Sequence, residues 1–424
     1  MLAGETRPVG AGERVLTLDV LRGVALLGIL LVNMALFSGP ALWDVPGAER
    51  FPGLANRAAG LFVAFFASAK FITMFSLLFG IGIALQLGRF GGEKRRIFVR
   101  RMVVLLGFGI LHGVFLWMGD ILAPYAVTGL FLLLFYRLPE RALLVTALTL
   151  WGGLVVFLTF SLGVAVLVPG PAAEAQRHVQ EHALIYGTYA QRSLEAYSTG
   201  SFMEITRQRA SEYLHSLQAN ILALPLFLAM MLLGLYLVKQ GMITDLGARL
   251  PLVRRVMAFS LPVGLVGNGL IVYARLAMLT AEPERYAALE LASTLGHVVG
   301  GPAFCLLYAG AITLLCQRAP RLLTPLAAVG RMAITNYLMQ SLLAGFIFYA
   351  YGLGFYGRVS PAAALFITLL IFGCQLLYSP LWLKRFRYGP VEWLWRTLSY
   401  GRRQPMRRDR PLPAPGEQAE KQTV

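Results

Sequence analysis

The sequence has few charged residues for its length. Only 14% of its 424 residues are Asp, Glu, Lys or Arg, whereas a soluble domain carries about 25%. Apolar types make up 57%, and the mean hydropathy is +0.65. The shortage of charge excludes a surface that faces water throughout, and it indicates a chain that lies mostly in lipid.

Cysteines and phosphate-binding glycine loops are also scarce. The three cysteines, Cys305, Cys316 and Cys374, lie in apolar runs, where a thiol behaves as a small hydrophobic side chain. We therefore expect neither disulfides nor cysteine metal ligands. Glycine-rich loops of the Walker or dinucleotide-binding type do not occur in the sequence.

Ten apolar runs are long enough to cross a bilayer, which takes about 20 helical residues. We therefore predict an all-α polytopic membrane bundle of about ten transmembrane helices. A shorter stretch, 61–67, predicts an interfacial or re-entrant helix that ends at Lys70. The predicted spans are 20–38, 70–88, 102–118, 120–136, 142–168, 219–238, 256–278, 291–316, 331–351 and 361–382.

The basic residues predict the orientation of these spans. The formal net charge is +17, and it is carried by short segments between the apolar runs and by the tail. With the N-terminus inside, inner segments hold 27 Lys and Arg, outer segments hold nine, and Lys70 and Arg331 lie at span edges. This asymmetry predicts that both termini are cytoplasmic, and it favours membrane orientation over nucleic-acid binding.

The longest predicted loop divides the chain into two halves. Residues 169–218 alternate in charge sign and predict extracytoplasmic amphipathic helices on the membrane surface. We assign 1–168 to an N-terminal five-span half, 219–400 to a C-terminal five-span half, and 401–424 to a basic disordered tail. Two halves with five spans each are also compatible with the inverted repeat of many transporters.

Polar side chains inside spans are costly and therefore suggest function. At about 1.5 Å per residue, Asn33, His112 and His297 lie about 8 to 10 Å from the outer ends of their spans. Lys70 and Asp120 mark the outer ends of two further spans. We expect Asn33, Lys70, His112 and Asp120 to line one cavity. A second set, on the cytoplasmic side, comprises Asp19, Arg22, Arg331 and Asn336.

Several of these groups also have a purely structural interpretation. Asp19 and Arg22 are three residues apart, as in an ordinary helical ion pair. The lysine and arginine at span edges could simply anchor helix ends, and His297 could hydrogen-bond to a neighbouring helix. His112 is the stronger candidate because Asp120 follows eight residues later. A carboxylate beside an imidazole fixes its tautomer and raises its basicity, as a general base requires.

One histidine pair resembles a metal motif. His178, Glu181 and His182 match the H-x-x-E-H pattern of one class of zinc proteases. A zinc site needs a third protein ligand and a buried setting, whereas this segment is short and polar. We interpret it as a solvated helix and predict no metal site.

The first span, with Asp19, Arg22, Gly23 and Asn33, resembles that of a superfamily of membrane acyltransferases. This superfamily includes acyltransferase family 3 and the heparan-alpha-glucosaminide N-acetyltransferase group. The resemblance implies transfer of acyl groups from cytoplasmic donors to extracytoplasmic acceptors by a membrane-embedded histidine. At the positions that carry this histidine in the two groups, the present chain has Asn33 and Asp44.

Further stretches resemble more specifically the bacterial YeiB family, whose C-terminal half is a domain of unknown function. The resemblance covers nearly the whole chain outside the tail, and it implies a multi-pass protein of the bacterial cytoplasmic (inner) membrane. The matching stretches are Lys70-Phe71 with 74–82, Leu111-His112-Gly113 with 119–122, 330–337 and 379–390.

The leading hypothesis is an acyltransferase-like membrane protein. His112 would be the base and Asp120 would orient it. The resemblance implies acyl-CoA as a possible donor substrate and a glycan or lipid as a possible acceptor. We expect no tightly bound cofactor and, from the placement of the basic residues, no nucleic-acid partner. The alternatives are a transporter of a small solute or lipid-linked substrate and a non-catalytic envelope scaffold. The expected substrate-binding residues are Asp19, Arg22, Asn33, Lys70, Arg331 and Asn336.

Overall fold

The computed structural model describes residues 16–44, 49–87, 94–167, 172–243 and 246–408. Within these ranges the chain is helical, and the only β pairing there is one isolated bridge between Phe386 and Arg407. The predicted all-α class is confirmed. The α-helices are α1 (Leu16–Ser38), α2 (Leu54–Phe66), α3 (Lys70–Leu87), α4 (Lys94–Phe115), α5 (Leu122–Phe135), α6 (Glu140–Leu167), α7 (Ala172–Thr199), α8 (Phe202–Lys239), α9 (Leu246–Ala277), α10 (Tyr286–Leu295), α11 (Gly301–Arg318), α12 (Thr324–Arg331), α13 (Ala333–Phe348), α14 (Pro361–Arg385) and α15 (Pro390–Tyr400).

The helices reproduce the predicted membrane spans. In the described part of the chain, eight helical segments are long and apolar enough to cross a membrane, and two shorter apolar helices, α5 and α13, accompany them. Each of the ten predicted spans coincides with one of these segments. The chain is therefore a multi-pass membrane protein.

The two short helices leave irregular backbone at membrane depth. α5 has 14 residues and α13 has 16, so both are shorter than the roughly 30 Å hydrocarbon layer at about 1.5 Å per residue. Non-helical backbone is tolerated there only where protein encloses it. The connection before α5 buries Trp117 and Asp120, and the connection after α13 buries Tyr349 and Tyr356.

Helix α1 lies at the centre of the bundle and packs against α3, α12, α13 and α14. Glycines allow the closest of these approaches. A Cβ added at Gly23 would lie 2.2 Å from the carbonyl oxygen of Leu326, and one at Gly330 would lie 1.9 Å from that of Asp19. The α1–α12 crossing therefore depends on two positions without a side chain.

The described part of the predicted loop, 172–218, is helical, as predicted. α7 and the first turns of α8 form a cap on the side predicted to be extracytoplasmic, and α8 begins at a capping box of Ser201 and Glu204. At 38 residues and about 1.5 Å per residue, α8 extends well beyond one bilayer. The last part of the amphipathic segment, from Phe202 onward, and the sixth span are thus one uninterrupted helix, and the predicted boundary at 218–219 falls inside it.

Part of the predicted tail packs on the bundle. Residues 401–408 return along the end of α14, where the Arg387 N–H donates to the Met406 carbonyl and the Arg408 N–H donates to the Arg385 carbonyl. The indole N–H of Trp393 also donates to the Gln404 carbonyl. Residues 409–424 lie outside the described ranges.

Candidate functional site

His112 and Asp120 are brought together by the turn between α4 and α5. His112 lies in the last turn of α4, where its carbonyl accepts the N–H groups of Leu116 and Trp117. The chain then reverses, and Asp120 Oδ1 lies 2.9 Å from His112 Nδ1. The other carboxylate oxygen accepts the Ala123 N–H at 2.7 Å and so caps the start of α5. The two residues that the sequence analysis paired are therefore in direct contact.

Gly109 makes this contact possible. A Cβ at this position would lie 2.3 Å from the Ala123 nitrogen and 2.6 Å from Asp120 Oδ2. Real Cβ atoms do not approach so closely, because such distances are well inside van der Waals contact. The absence of a side chain at Gly109 therefore allows the start of α5 and the carboxylate to pack directly on α4.

A third residue, Ser341, completes a hydrogen-bonded chain. Its Oγ, from the middle of α13, lies 2.8 Å from His112 Nε2. An ionised carboxylate only accepts hydrogen bonds, so Asp120 favours the tautomer that carries its proton on Nδ1. Nε2 is then the free acceptor, and the Ser341 hydroxyl is its donor. The order Ser341–His112–Asp120 is that of a nucleophile, a base and an orienting carboxylate.

The hydrogen-bonded side chains of Ser341, His112 and Asp120 are enclosed by protein. His112, Asp120 and Ser341 are each 1% exposed, so bulk water does not reach them. Aromatic rings surround the imidazole: the ring centroid of Tyr337 lies 4.9 Å away and that of Trp117 lies 6.2 Å away. In so apolar a setting the hydrogen bonds are stronger than in water, and an unpaired member would be costly.

A row of hydrogen-bonded polar side chains lies between α13 and α14, next to this site. It is here called the polar seam and comprises Asn336, Gln340, Gln375 and Ser379. The Gln340 amide donates to Gln375 at 2.9 Å, and Gln375 donates in turn to the Asn336 carbonyl at 2.9 Å. The Asn336 amide donates to the Val329 carbonyl at 2.9 Å and to Ser379 Oγ at 3.2 Å. Asn336 therefore joins α12, α13 and α14.

Glu392 holds the start of α13 from a separate helix. Its carboxylate, on α15, accepts the N–H groups of Ile334 and Thr335 and the Thr335 hydroxyl. These N–H groups have no partner within their own helix, so the carboxylate caps α13. Burial raises the pKa of Glu392 above its usual range, while the donors from Thr335 and Ile334 oppose that shift. The sequence analysis missed this residue because it lies after the last span.

Among the described residues, none of the other predicted site residues forms a hydrogen bond with His112 or Asp120, and of these only Asn336 belongs to the polar seam. Asp19 and Arg22 form an ion pair at 2.8 Å, as expected from their spacing. Arg331 ends α12, and only Met332 separates it from the start of α13. In the described structure no hydrogen bond joins Asn33 to His112 or Asp120, and Asn33 is only partly buried.

Lys70 belongs to a second cluster. It is fully buried, its ammonium donates to the Ala64 carbonyl at 2.9 Å, and its titratable neighbours are Arg275 and His297. The preceding residue, Ala69, has a φ of +65°, which is a strained backbone conformation for a residue with a side chain.

His297 bonds to the Ser293 carbonyl of its own helix at 2.7 Å, not to a neighbouring helix. It lies in a π-helical turn, Gly296–Gly300.

The H-x-x-E-H segment lies on α7. The ring of His182 stacks on Tyr186 at 3.8 Å, whereas the side chain of His178 lies outside the described part of the chain. No group of three or more His, Cys, Asp or Glu side chains able to hold a metal occurs among the residues that the structure describes. The absence of zinc stays a prediction.

Comparison with known proteins places the chain among uncharacterised relatives. Residues 237–402 match the profile described as "Protein of unknown function (DUF418)". Uncharacterized protein YxaH of Bacillus subtilis (strain 168) is 33% identical over 94% of this chain and 98% of its own length. An uncharacterized 39.9 kDa protein from the amylase 3' region of Bacillus acidopullulyticus is 30% identical over 94% of this chain and 97% of its own.

Uncharacterized protein YeiB of Escherichia coli (strain K12) is 31% identical over 91% of this chain and 96% of its own length. These similarities span both halves of the bundle and not only the C-terminal part that matches the DUF418 profile. The chain therefore belongs to the YeiB family of multi-pass membrane proteins that carry the DUF418 domain.

Proposed function

We propose that this protein is an acyltransferase of the bacterial cytoplasmic membrane, in which Ser341, His112 and Asp120 carry out the chemistry. One observation supports this proposal above the others. Both ring nitrogens of a buried histidine are engaged, one by a carboxylate at 2.9 Å and the other by a serine hydroxyl at 2.8 Å. Such an arrangement activates a hydroxyl for attack on an acyl carbon.

In the first step, Ser341 Oγ attacks the carbonyl carbon of an acyl thioester, with acyl-CoA as the expected donor, and His112 Nε2 takes the hydroxyl proton. The carbon–sulfur bond then breaks, and the departing thiolate takes that proton from His112. The acyl group is left as an ester on Ser341. Asp120 remains ionised and stabilises the imidazolium that forms between the two proton transfers.

In the second step, the oxygen of an acceptor hydroxyl attacks the carbonyl carbon of the Ser341 ester, while His112 takes the proton of that hydroxyl. The ester bond to Ser341 breaks, and the proton returns to Ser341 Oγ. Burial of the site favours transfer over hydrolysis, because water that would cleave the ester is excluded. The acceptor in this proposal is a glycan or lipid that arrives from the extracytoplasmic side.

The position of Ser341 suits a donor and an acceptor on opposite faces. It is the ninth of the 16 residues of α13, so both ends of that helix are about 10 to 12 Å away at about 1.5 Å per residue. The polar seam through Gln340 and Asn336 lies on the side that the orientation predicts to be cytoplasmic.

The test is covalent labelling of the purified protein in nanodiscs with radiolabelled acetyl-CoA and longer acyl-CoA donors, without an acceptor. We expect label on the wild type, none on Ser341→Ala, and little on His112→Gln, since an amide cannot take the proton. Ser341→Cys should give a thioester that neutral hydroxylamine releases. The control is Ser260→Ala, which changes a buried serine of α9 away from the site. Equal labelling of Ser341→Ala and wild type would refute the proposal.

A further inference from the structure

A group of buried hydrogen-bond donors without acceptors surrounds the outer end of α4. Arg209 of α8 is 0% exposed. One of its terminal nitrogens donates to the carbonyl of Phe115, at the end of α4, while its Nε and Nη2 have no hydrogen-bond partner among the residues that the structure describes. In the described part of the chain no carboxylate forms an ion pair with Arg209. A buried positive charge is normally paired with a negative one.

The nearby acidic residue does not serve this purpose. Glu212 lies three residues after Arg209 on α8, and it is also buried. Its carboxylate already accepts hydrogen bonds from Trp43, Ser193, Tyr197 and Gln208. The guanidinium instead lies beside the tyrosines of the connection after α13, with its carbon 5.3 Å from the ring centroid of Tyr349. The hydroxyls of Tyr349 and Tyr351 are its neutral polar neighbours there. Within the described residues, Arg209 thus forms no ion pair with a carboxylate.

Two further donors in the same region are unpaired. In the described part of the chain, Trp117 Nε1 and the Tyr213 hydroxyl have no hydrogen-bond partner, although the two residues are only 1% and 4% exposed. Tyr213 lies one turn after Arg209, and its ring packs against Gly113. Trp117 lies two residues after Phe115, and its ring centroid is 6.2 Å from that of His112. Arg209, Trp117 and Tyr213, here called the donor cluster, therefore surround the turn that carries the catalytic histidine.

We propose that the donor cluster binds the phosphate group of the acceptor. All the unpaired atoms can donate, and the only formal charge among them is positive, so their ligand is an anion. A phosphate offers several oxygens in different directions, which matches donors from a guanidinium, an indole and a phenol better than a planar carboxylate does. This role in the reaction rests on the proposed acyl transfer, whereas the binding itself does not.

The position of the cluster fits the reaction. Phe115 is three residues after His112 on α4, a rise of about 4.5 Å. A phosphate held by Arg209 at this helix end would place a hydroxyl a few bonds away within reach of His112 and Ser341. The acceptor class is therefore a hydroxyl-bearing phosphate ester, such as a glycerophosphate unit. It is either the headgroup of an outer-leaflet lipid or a water-soluble phosphate ester.

Binding can be measured by calorimetry on the purified full-length protein, without an acyl donor. One arm uses glycerol phosphate with the protein in zwitterionic nanodiscs. The other arm titrates short-chain phosphatidylglycerol into protein held in a neutral detergent. Heat in the first arm identifies a water-soluble ester, and heat in the second arm alone identifies a lipid headgroup. Glycerate, which replaces phosphate by carboxylate, should bind at least tenfold more weakly than glycerol phosphate.

The variants separate binding from folding. Arg209→Gln should weaken binding at least tenfold, and Tyr213→Phe, which removes only an unpaired hydroxyl, should weaken it several-fold while leaving the unfolding temperature unchanged or higher. The matched control is Arg207→Gln, which removes the same charge from an exposed position on the same helix and should bind like the wild type. Unaltered binding in both Arg209→Gln and Tyr213→Phe, equal affinity for glycerate, or no binding of either phosphate by the wild type would overturn the proposal.

The two proposals fail separately. Phosphate binding that depends on Arg209, without acyl label on Ser341, would leave the anion site standing and remove the acyl transfer. Acyl label on Ser341 without phosphate binding would leave the acyl transfer standing and remove the anion site.

Discussion

Asp120→Asn is expected to abolish acyl transfer although it changes one atom. The Ala123 N–H donates to Asp120 Oδ2 at 2.7 Å, so this position must hold an oxygen. The amide nitrogen of Asn would then face His112 Nδ1, which lies 2.9 Å from Oδ1 in the wild type. Because that nitrogen donates, Nδ1 must be unprotonated, and the proton moves to Nε2. Ser341 would then face an N–H group instead of a base.

The size of the effect follows from these hydrogen bonds. Turning the amide to restore the reactive tautomer leaves the Ala123 N–H unpaired, at a cost of about 1–3 kcal/mol. Since about 1.4 kcal/mol corresponds to a factor of ten, only about one molecule in ten to one in a hundred keeps the reactive tautomer. The variant also loses the negative charge that stabilises the imidazolium. In serine-hydrolase triads the equivalent change lowers turnover about 10⁴-fold, and we expect a loss of about 10³ to 10⁴.

The assay is the rate of Ser341 labelling, with the His112 tautomer read independently by nitrogen NMR on histidine-labelled protein. The wild type should show the proton on Nδ1 and the variant on Nε2, with similar unfolding temperatures. Glu290→Gln, the same change at an exposed position on α10, serves as control. A labelling rate within tenfold of the wild type, with the tautomer reversed, would refute the role assigned to Asp120.

Three further predictions concern the scaffold. Glu392→Ala should lower the unfolding temperature in detergent, because the N–H groups of Ile334 and Thr335 lose their acceptor at about 1–3 kcal/mol each; an unchanged temperature would contradict the capping role. Gly109→Ala should abolish labelling, because its Cβ would lie 2.3 Å from the Ala123 nitrogen and force α5 away from α4; normal labelling would show that the turn adapts. Reporter fusions after Gly200 and at the C-terminus should report opposite sides of the membrane, and matching signals would refute the predicted orientation.

The membrane architecture was determined by the sequence itself. A helix that crosses lipid must satisfy its backbone internally and present apolar side chains over about 20 residues, so each span is a local property of the chain. The positions of His112 and Asp120 were likewise informative, because polar groups at that depth are costly. Their contact was a reasonable hypothesis, since only eight residues separate them.

Only the tertiary structure decided the composition of the site. Ser341 lies 229 residues from His112 in the chain, and a lone serine in a span carries no signal because it can bond to its own helix. In the sequence, Arg209 is one of several basic residues in a polar segment. Only the structure shows that it is buried and that it forms no ion pair with a carboxylate of the described residues. Lys70 and His112 were both expected on the outer side of the bundle, yet helix packing places Lys70 beside Arg275 and His297. Depth along a span is fixed by sequence, whereas the direction in which each helix faces is fixed by its neighbours.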